Sequence, residues 1–238
     1  MTESKTLEPG QIATVQVLGA IAYGEWKAHV GAKEAADAAA TEDERAAMKK
    51  VAAEELRHHK GFVRALERMG ADPERAMAPY QGALDSYHGN ESDDPLENAM
   101  WGYLGEGVAD DLLEWLKTVV DAETREFVES VIADEEEHEA LATARLKGLI
   151  DADPAGKAKA GRAARTMLAR MARASGGGET QPLRFGAFLR MGRPHDLLWR
   201  LTSGYARRMR ALGLNPVGLP ALLPNLPNLL PGRDRQAA

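Results

Sequence analysis

One pattern of acidic residues and histidine occurs twice in the chain at almost the same spacing. A lone glutamate precedes a Glu-x-x-His motif by 30 residues in the first copy and by 29 residues in the second. The six residues are Glu25, Glu55, His58, Glu106, Glu135 and His138. Because residues three apart on a helix project from the same face, each motif places a carboxylate one turn from an imidazole. The repeat predicts two similar halves whose helices bring these side chains together.

The second motif lies in an apolar-periodic run over residues 123–149. Val128, Val131 and Ala142 share its face, which indicates that the face looks toward a core. Buried carboxylates are costly without partners, and divalent cations would compensate their charge. A lone Glu-x-x-His is usually a solvated surface pair, but two copies at matched spacing favour a dinuclear metal site.

Periodicity and capping signals predict four long helices, at about 11–39, 42–69, 95–120 and 121–148. Thr41 and Glu44 form a capping box before the second helix, and Asp94 is a suitable N-cap before Pro95. The links after the first and third helices are short, so each joins antiparallel neighbours. Residues 70–95 break the helical pattern with prolines and glycines, and a connection of this length predicts one long crossover between the halves.

The two parts of the chain carry opposite charge. Residues 1–150 hold 15 Lys and Arg against 31 Asp and Glu, a formal charge of −16, whereas residues 151–238 hold 15 against 5, a charge of +10. We therefore divide the chain into an all-α four-helix bundle with the dinuclear metal site over 1–150 and a basic helical extension with a Pro/Leu-rich tail over 151–238. Within the extension, helices are expected at about 154–174 and 184–212, separated by a glycine-rich break at 175–178.

The basic extension admits three interpretations. It binds RNA phosphates, it lies on an anionic membrane through the amphipathic piece from Phe185 to Trp199, or it packs against the acidic bundle within one chain or across a homodimer. Packing against the bundle is favoured, because RNA recognition usually adds exposed aromatic residues and the 157–173 helix contains none.

Composition excludes several classes of site. The sequence has no cysteine, which excludes disulfides, zinc–thiolate sites, iron–sulfur clusters and cysteine nucleophiles. Residues 1–10 are polar and contain no signal-peptide core, and no apolar run approaches the length of about 20 residues that spans a membrane. We expect a cytoplasmic protein.

Four carboxylates and two imidazoles can hold two divalent metal ions. Glu55 and Glu135 are placed to bridge the ions, while one histidine and one terminal glutamate, Glu25 or Glu106, complete each ion. Oxygen and neutral nitrogen donors suit iron(II) or manganese(II), and open positions would admit O₂ or peroxide. The predicted cofactors are two iron ions, with manganese as the alternative metal, and O₂.

Residues beside the motifs have less defined roles. Asp110, one turn after Glu106, is a candidate to accept the free ring N–H of a ligating histidine, with a surface or capping role as the alternative. Glu54 and His59 lie one step off the ligand face and are expected to be solvated or to support the ligands. Glycines at 102, 105 and 107 indicate either close helix packing or a space beside Glu106 for substrate or O₂.

The six-residue pattern resembles the ferritin-like di-iron carboxylate superfamily over residues 11–150. Within it, the chain looks most like the MiaE-like group, related to tRNA-(2-methylthio-N6-isopentenyladenosine) hydroxylase. The resemblance implies a four-helix bundle with one long crossover, two irons held by the six residues, and insertion of one oxygen atom from O₂ into a C–H bond. Ferritins, rubrerythrins, quinone hydroxylases and manganese catalases share variants of the motif, so the motif specifies the metal site and leaves the substrate open.

The predicted function is that of a di-iron monooxygenase that hydroxylates a small molecule or a tRNA substrate with electrons from an external donor. No catalytic residues beyond the metal ligands are predicted. Two alternatives stay open: a ferroxidase that handles iron as its substrate, and a dimanganese enzyme that disproportionates peroxide. A homodimer and membrane contact through the extension also stay open.

Overall fold

A computed structural model describes residues 9–89, 92–175 and 193–216. All regular secondary structure in these three ranges is helical. The helices are α1 (Pro9–Asp37), α2 (Glu42–Arg68), α3 (Pro73–His88), α4 (Pro95–Leu116), α5 (Ala122–Ala152), α6 (Gly156–Ser175) and α7 (Pro194–Ala211). The predicted all-α class is confirmed, and the four predicted bundle helices correspond to α1, α2, α4 and α5.

The capping residues identified in the sequence form the predicted hydrogen bonds at the helix starts. Thr41 Oγ1 accepts a hydrogen bond of 3.2 Å from the Glu44 backbone N–H, and the Glu44 carboxylate accepts one of 3.2 Å from the Thr41 backbone N–H. Asp94 Oδ1 accepts from the Leu96 N–H at 2.9 Å at the start of α4. These bonds satisfy backbone donors that a helix start otherwise leaves unpaired, and so they set where α2 and α4 begin.

The crossover between the two halves contains a helix that the sequence analysis did not predict. Asp72 accepts from the backbone N–H groups of Glu74 and Arg75 at 3.0 and 3.3 Å, and α3 follows. Gly19 of α1 lets this helix approach, because a Cβ at Gly19 would overlap the backbone of Ala76. Of the prolines that suggested an irregular segment, Pro73 lies at the first helical position, where no backbone N–H is needed, and Pro79 lies inside the helix, where it removes one backbone donor.

Two apolar clusters of buried residues fill the interior. The first joins α1, α2 and α3 to the end of α4 and the start of α5, with Phe62 and Trp115 fully buried. The second joins α4 and the end of α5 to α6 and α7 through residues such as Met100 and Leu146. Burying a large apolar side chain contributes about 1.5–3 kcal/mol, so the two clusters hold the helices together. The six candidate ligands belong to neither cluster.

The described helices of the basic extension pack on the bundle. Helix α6 lies against α4 and α5, and α7 lies against α4, as the favoured interpretation of the extension requires. The predicted second helix begins at 184, and its part before residue 193 lies outside the described residues, as do most of the glycine-rich break and the tail beyond 216. None of the helices in the described ranges has the length and apolarity of a membrane span.

Candidate metal centre

Helices α1, α2 and α5 bring four of the predicted residues into one buried group. Ligand atoms of Glu25, Glu55, His58 and Glu135 all lie within 4.8 Å of one another. The Glu-x-x-His spacing achieves this because it places Glu55 and His58 on the face of α2 that meets α5, where Glu135 projects toward them. This group is the centre of the candidate site.

Three carboxylate oxygens surround the Nδ1 atom of His58. Glu25 Oε2 lies 3.4 Å away, Glu55 Oε2 3.3 Å and Glu135 Oε1 3.2 Å. No described residue makes a hydrogen bond to this fully buried nitrogen. A buried nitrogen that faces carboxylate oxygens without a hydrogen bond is the arrangement expected of a metal ligand.

His138 faces the same two glutamates from the opposite side. Its Nδ1 atom lies 3.3 Å from Glu55 Oε1 and 3.2 Å from Glu135 Oε2, and its ring centroid is 6.4 Å from that of His58. Each of the two carboxylates therefore directs one oxygen to each histidine. That geometry fits the predicted bridging role of Glu55 and Glu135, with one ion beside each imidazole.

The outer nitrogen of each histidine contacts an acid on the other motif helix. His58 Nε2 lies 3.0 Å from Asp134 Oδ2, and His138 Nε2 lies 3.0 Å from Glu54 Oε2. In each case the acid directly precedes the bridging glutamate of its own motif. Such contacts fix the ring orientation of metal-bound histidines. The motif is thus better written as acid-Glu-x-x-His, a signal that was visible in the sequence.

Two roles were predicted as alternatives for Asp110, and the structure does not place it beside a histidine. Asp134 and Glu54 contact the outer histidine nitrogens, and the Asp110 carboxylate instead accepts from the Arg208 guanidinium of α7 at 3.1 Å. Glu54 supports His138, one of the two roles expected for it. His59 instead uses Nδ1 to contact the Ala22 carbonyl oxygen at 2.8 Å, so it lies outside the group of ligands.

Basic residues of α2 contact Asp134 and Glu54, the two acids that orient the histidines. Arg57 pairs with Asp134, while Lys50 contacts Glu54 at 3.3 Å and Glu137 at 2.7 Å. Both basic side chains are substantially exposed, so each pair alone contributes little free energy. Their effect is to restrict the carboxylates that orient the histidines.

Glu106 lies apart from the other five residues. Its side chain is exposed to solvent. Partial desolvation by the surrounding helices, together with the charges of Glu55 and Glu135, raises the pKa of Glu106 to about 7. Glu106 therefore forms the solvent-accessible side of the site, on α4.

The three glycines of α4 divide between the two predicted roles. A Cβ at Gly105 would overlap the Tyr87 hydroxyl of α3, and one at Gly107 would overlap Arg208 of α7, so both positions allow close packing. A Cβ at Gly102 would meet only Glu106 Oε1, at 4.0 Å. Gly102 therefore leaves space beside Glu106, as the substrate-access interpretation requires.

The carboxylates strongly favour positive charge in the site. Burial raises the pKa of Glu25 well above its usual range. For Glu55, burial is outweighed by His138 and His58, which lower its pKa to about 2. Burial would lower the pKa of His58, but Glu135, Glu25 and Glu55 raise it to about 12. A site that attracts protons this strongly is equally suited to divalent cations, whose charge compensates the same carboxylates.

The donor set fits iron or manganese. It consists of carboxylate oxygens and imidazole nitrogens, which suit both metals, and the arrangement of glutamates and Glu-x-x-His motifs on four helices is that of the ferritin-like dinuclear proteins. The fold and the site together define a ferritin-like helical protein with a candidate dinuclear metal centre.

Comparison with known proteins agrees with this class. Residues 10–175 match the family described as a ferritin-like domain of actinomycetes, and the chain belongs to this family. Among solved structures, the chain is similar to a Synechococcus protein with aldehyde deformylating oxidase activity. The TM-score is 0.69 at 20% identity, and the match covers 88% of this chain and 93% of that chain. This likeness establishes the ferritin-like fold. No curated protein matches the sequence significantly.

These findings confirm the resemblance to the ferritin-like superfamily. The narrower resemblance to MiaE-like hydroxylases and the ligand roles of the six residues stay predictions. The sequence identified the residues that α1, α2 and α5 bring together. It did not identify Asp134, nor the solvent exposure of Glu106.

Proposed function

We propose that this protein binds two iron ions between α1, α2, α4 and α5 and uses O₂ to hydroxylate an organic substrate. One observation supports this most directly: Glu55 and Glu135 each direct separate oxygens to His58 and His138, at 3.2–3.3 Å. Two shared carboxylates between two imidazoles provide places for two ions rather than one.

The six residues divide between the two ions. Glu25 and His58 would hold the first ion, Glu106 and His138 the second, and Glu55 and Glu135 would be shared. When bound, the iron ions supply the redox chemistry that activates O₂. Hydroxylation then balances with two electrons from an external reductant and two protons: one oxygen atom enters the substrate C–H bond and the other leaves as water.

The remaining residues position the ligands and control access. Asp134 and Glu54 keep the Nδ1 atoms of both histidines directed inward, and the burial of Glu25 and His58 excludes water from the first half of the site. Substrate would approach from the exposed side beside Glu106, because Gly102 leaves room there.

The substrate is proposed by class only. The resemblance of the Glu-x-x-His motifs to the MiaE-like group makes a modified tRNA nucleoside the first candidate, and a small organic molecule with an accessible C–H bond the second. The basic extension would supply contacts to tRNA phosphates if the substrate is presented on tRNA.

The test compares the wild-type protein with Glu135→Ala. Both are loaded anaerobically with iron(II) and then mixed with O₂ and a chemical reductant in the presence of candidate substrates. We expect O₂ consumption, an optical change and an oxygenated product in the wild type, and their loss in Glu135→Ala. Glu129→Ala removes an exposed carboxylate from the same helix and should behave as the wild type does.

Three results would redirect the proposal. Full iron content and activity in Glu135→Ala would refute the ligand assignment. Oxidation of many irons per chain without substrate would indicate a ferroxidase. Release of O₂ from peroxide by manganese-loaded protein would indicate a dimanganese enzyme.

A further inference from the structure

Helix α7 carries a fully buried arginine that contacts three carboxylates. Arg208 is 1% exposed. Its Nη1 atom donates to Asp111 at 2.9 Å, its Nη2 atom donates to Asp110 at 3.1 Å, and its Nε atom donates to Glu139 at 3.1 Å. Asp110 and Asp111 belong to α4 and Glu139 to α5, so one guanidinium joins three helices.

Two glycines make room for this arginine. A Cβ at Gly107 of α4 would overlap the Arg208 side chain, and a Cβ at Gly204 of α7 would overlap the Asp111 carboxylate. Each glycine within a helix costs about 1 kcal/mol relative to alanine. The arginine therefore occupies a shaped pocket between the helices, which distinguishes it from the exposed ion pairs elsewhere on the surface.

The pocket lies beside the second half of the candidate metal centre. Asp110 is one helical turn after Glu106 on α4, and Glu139 directly follows His138 on α5. Without Arg208, three carboxylates on the facing surfaces of α4 and α5 would repel one another where little water screens them. The guanidinium removes that repulsion, and its planar donors fix the distance between the two helices.

We propose that Arg208 is a positioning residue for the α4 and α5 half of the metal centre, which makes binding of the second ion dependent on the docking of α7. The proposal rests on the proposed function, in which Glu106 and His138 hold that ion. Helix α7 lies beyond residue 175, where the match to the ferritin-like family ends. The three acids thus belong to the matched domain, and the arginine that joins them comes from the extension.

The test is a cobalt(II) titration of the wild type, Arg208→Gln, Arg208→Lys and Arg210→Gln, followed by absorption spectroscopy. Arg210 is exposed on the same helix, so its substitution is the matched control for loss of one positive charge. In Arg208→Gln we expect the second cobalt ion to bind at least about tenfold more weakly, the size of loss typical for residues that position metal ligands. Its spectrum should then resemble that of Glu106→Gln.

The first cobalt ion, beside His58, should bind to Arg208→Gln as it binds to the wild type. Arg208→Lys keeps the charge and should recover part of the affinity for the second ion, while Arg210→Gln should retain both ions. Equal loss of both ions, or loss of neither, in Arg208→Gln would overturn the proposal. Wild-type protein that binds no cobalt would instead contradict the proposed function.

Hydrogen exchange of the metal-free proteins supplies a second measurement that does not depend on metal. In Arg208→Gln, and more weakly in Arg208→Lys, amide exchange should accelerate in segments 104–111 and 135–142 and stay unchanged in segment 52–60. Uniform acceleration along the whole chain would show that Arg208 acts only on global stability and would overturn the positioning role.

Discussion

The two halves of the candidate metal centre have the same ligand pattern but different surroundings. In the α1 and α2 half, Glu25, Glu55 and His58 are 6%, 5% and 0% exposed. In the α4 and α5 half, His138 is partly accessible and the side chain of Glu106 is exposed. A repeated motif thus yields one closed half and one open half, and under the proposed function reactants would approach through the open half.

The difference follows from what covers each half. The closed half is packed by the crossover helix α3, which Gly19 allows to lie against α1. Helix α3 also reaches the open half, where Tyr87 packs on Trp101 and Gly105 of α4, but a Cβ at Gly102 would meet only Glu106. Arg208 of α7 joins α4 to α5 on this side. The elements outside the motif thus decide how accessible each candidate ligand is.

The largest expected effect is on the number of metal ions bound, which should differ between substitution of a shared ligand and substitution of a terminal one. Glu55→Ala removes a carboxylate that lies 3.3 Å from the Nδ1 atoms of both histidines, so it should abolish binding of both ions. Glu106→Ala should remove only the second ion. Elemental analysis after metal loading and desalting measures both outcomes, and a Glu55→Ala protein that kept two ions would contradict the shared role.

Adding a side chain where the helices of the closed half pack tightly should lower the free energy of unfolding. A Cβ at Gly61 of α2 would overlap the Phe127 ring of α5, so Gly61→Ala should lower the free energy of unfolding by about 1–3 kcal/mol. Gly31→Ala adds the same atom to open space on α1 and should raise stability by up to about 1 kcal/mol. Urea denaturation of both variants tests the contrast, and equal effects would refute it.

The orienting acids should affect one histidine each. Asp134→Asn should weaken binding of the ion beside His58, and Glu54→Gln that of the ion beside His138, each by about 10–100-fold. Competition with a fluorescent chelator measures these affinities. Glu136→Gln alters an exposed carboxylate on the same helix as Asp134 and should change neither, whereas a similar loss in all three variants would point to a general charge effect.

The smallest expected effect lies in the open half. Gly102→Ala places a methyl group in open space, 4.0 Å from Glu106 Oε1. We expect unchanged metal content and a gain in stability of up to about 1 kcal/mol. Gly105→Ala, three residues further along α4, should destabilise the fold because its Cβ would overlap the Tyr87 hydroxyl. Thermal unfolding of the two variants tests whether the space beside Gly102 is open, and destabilisation by Gly102→Ala would show that it is not.

Much of the bundle could be predicted from local sequence signals. The caps at Thr41 and Asp94 and the Glu-x-x-His spacing within each motif depend on residues within a few positions of one another, and they predicted where α2 and α4 begin and which side chains of α2 and α5 share a face. Helix α3 was missed because Pro73, Pro79 and the glycines of this segment concealed a helix that packs on α1.

Contacts between residues distant in sequence account for the remaining differences. Asp110 has the right spacing to support a ligand on its own side of the bundle, but Arg208, 98 residues later, binds it instead. The exposure of Glu106 likewise depends on which side chains of other helices surround it. Helical periodicity contains no information about either feature.

The most direct test of the central claim is the metal content per chain of untagged protein, measured by native mass spectrometry and elemental analysis after anaerobic loading with iron(II). The account predicts two iron ions per chain in the wild type and none in Glu55→Ala. A wild-type chain that binds no metal would contradict the account, because the six residues would then have no ions to hold.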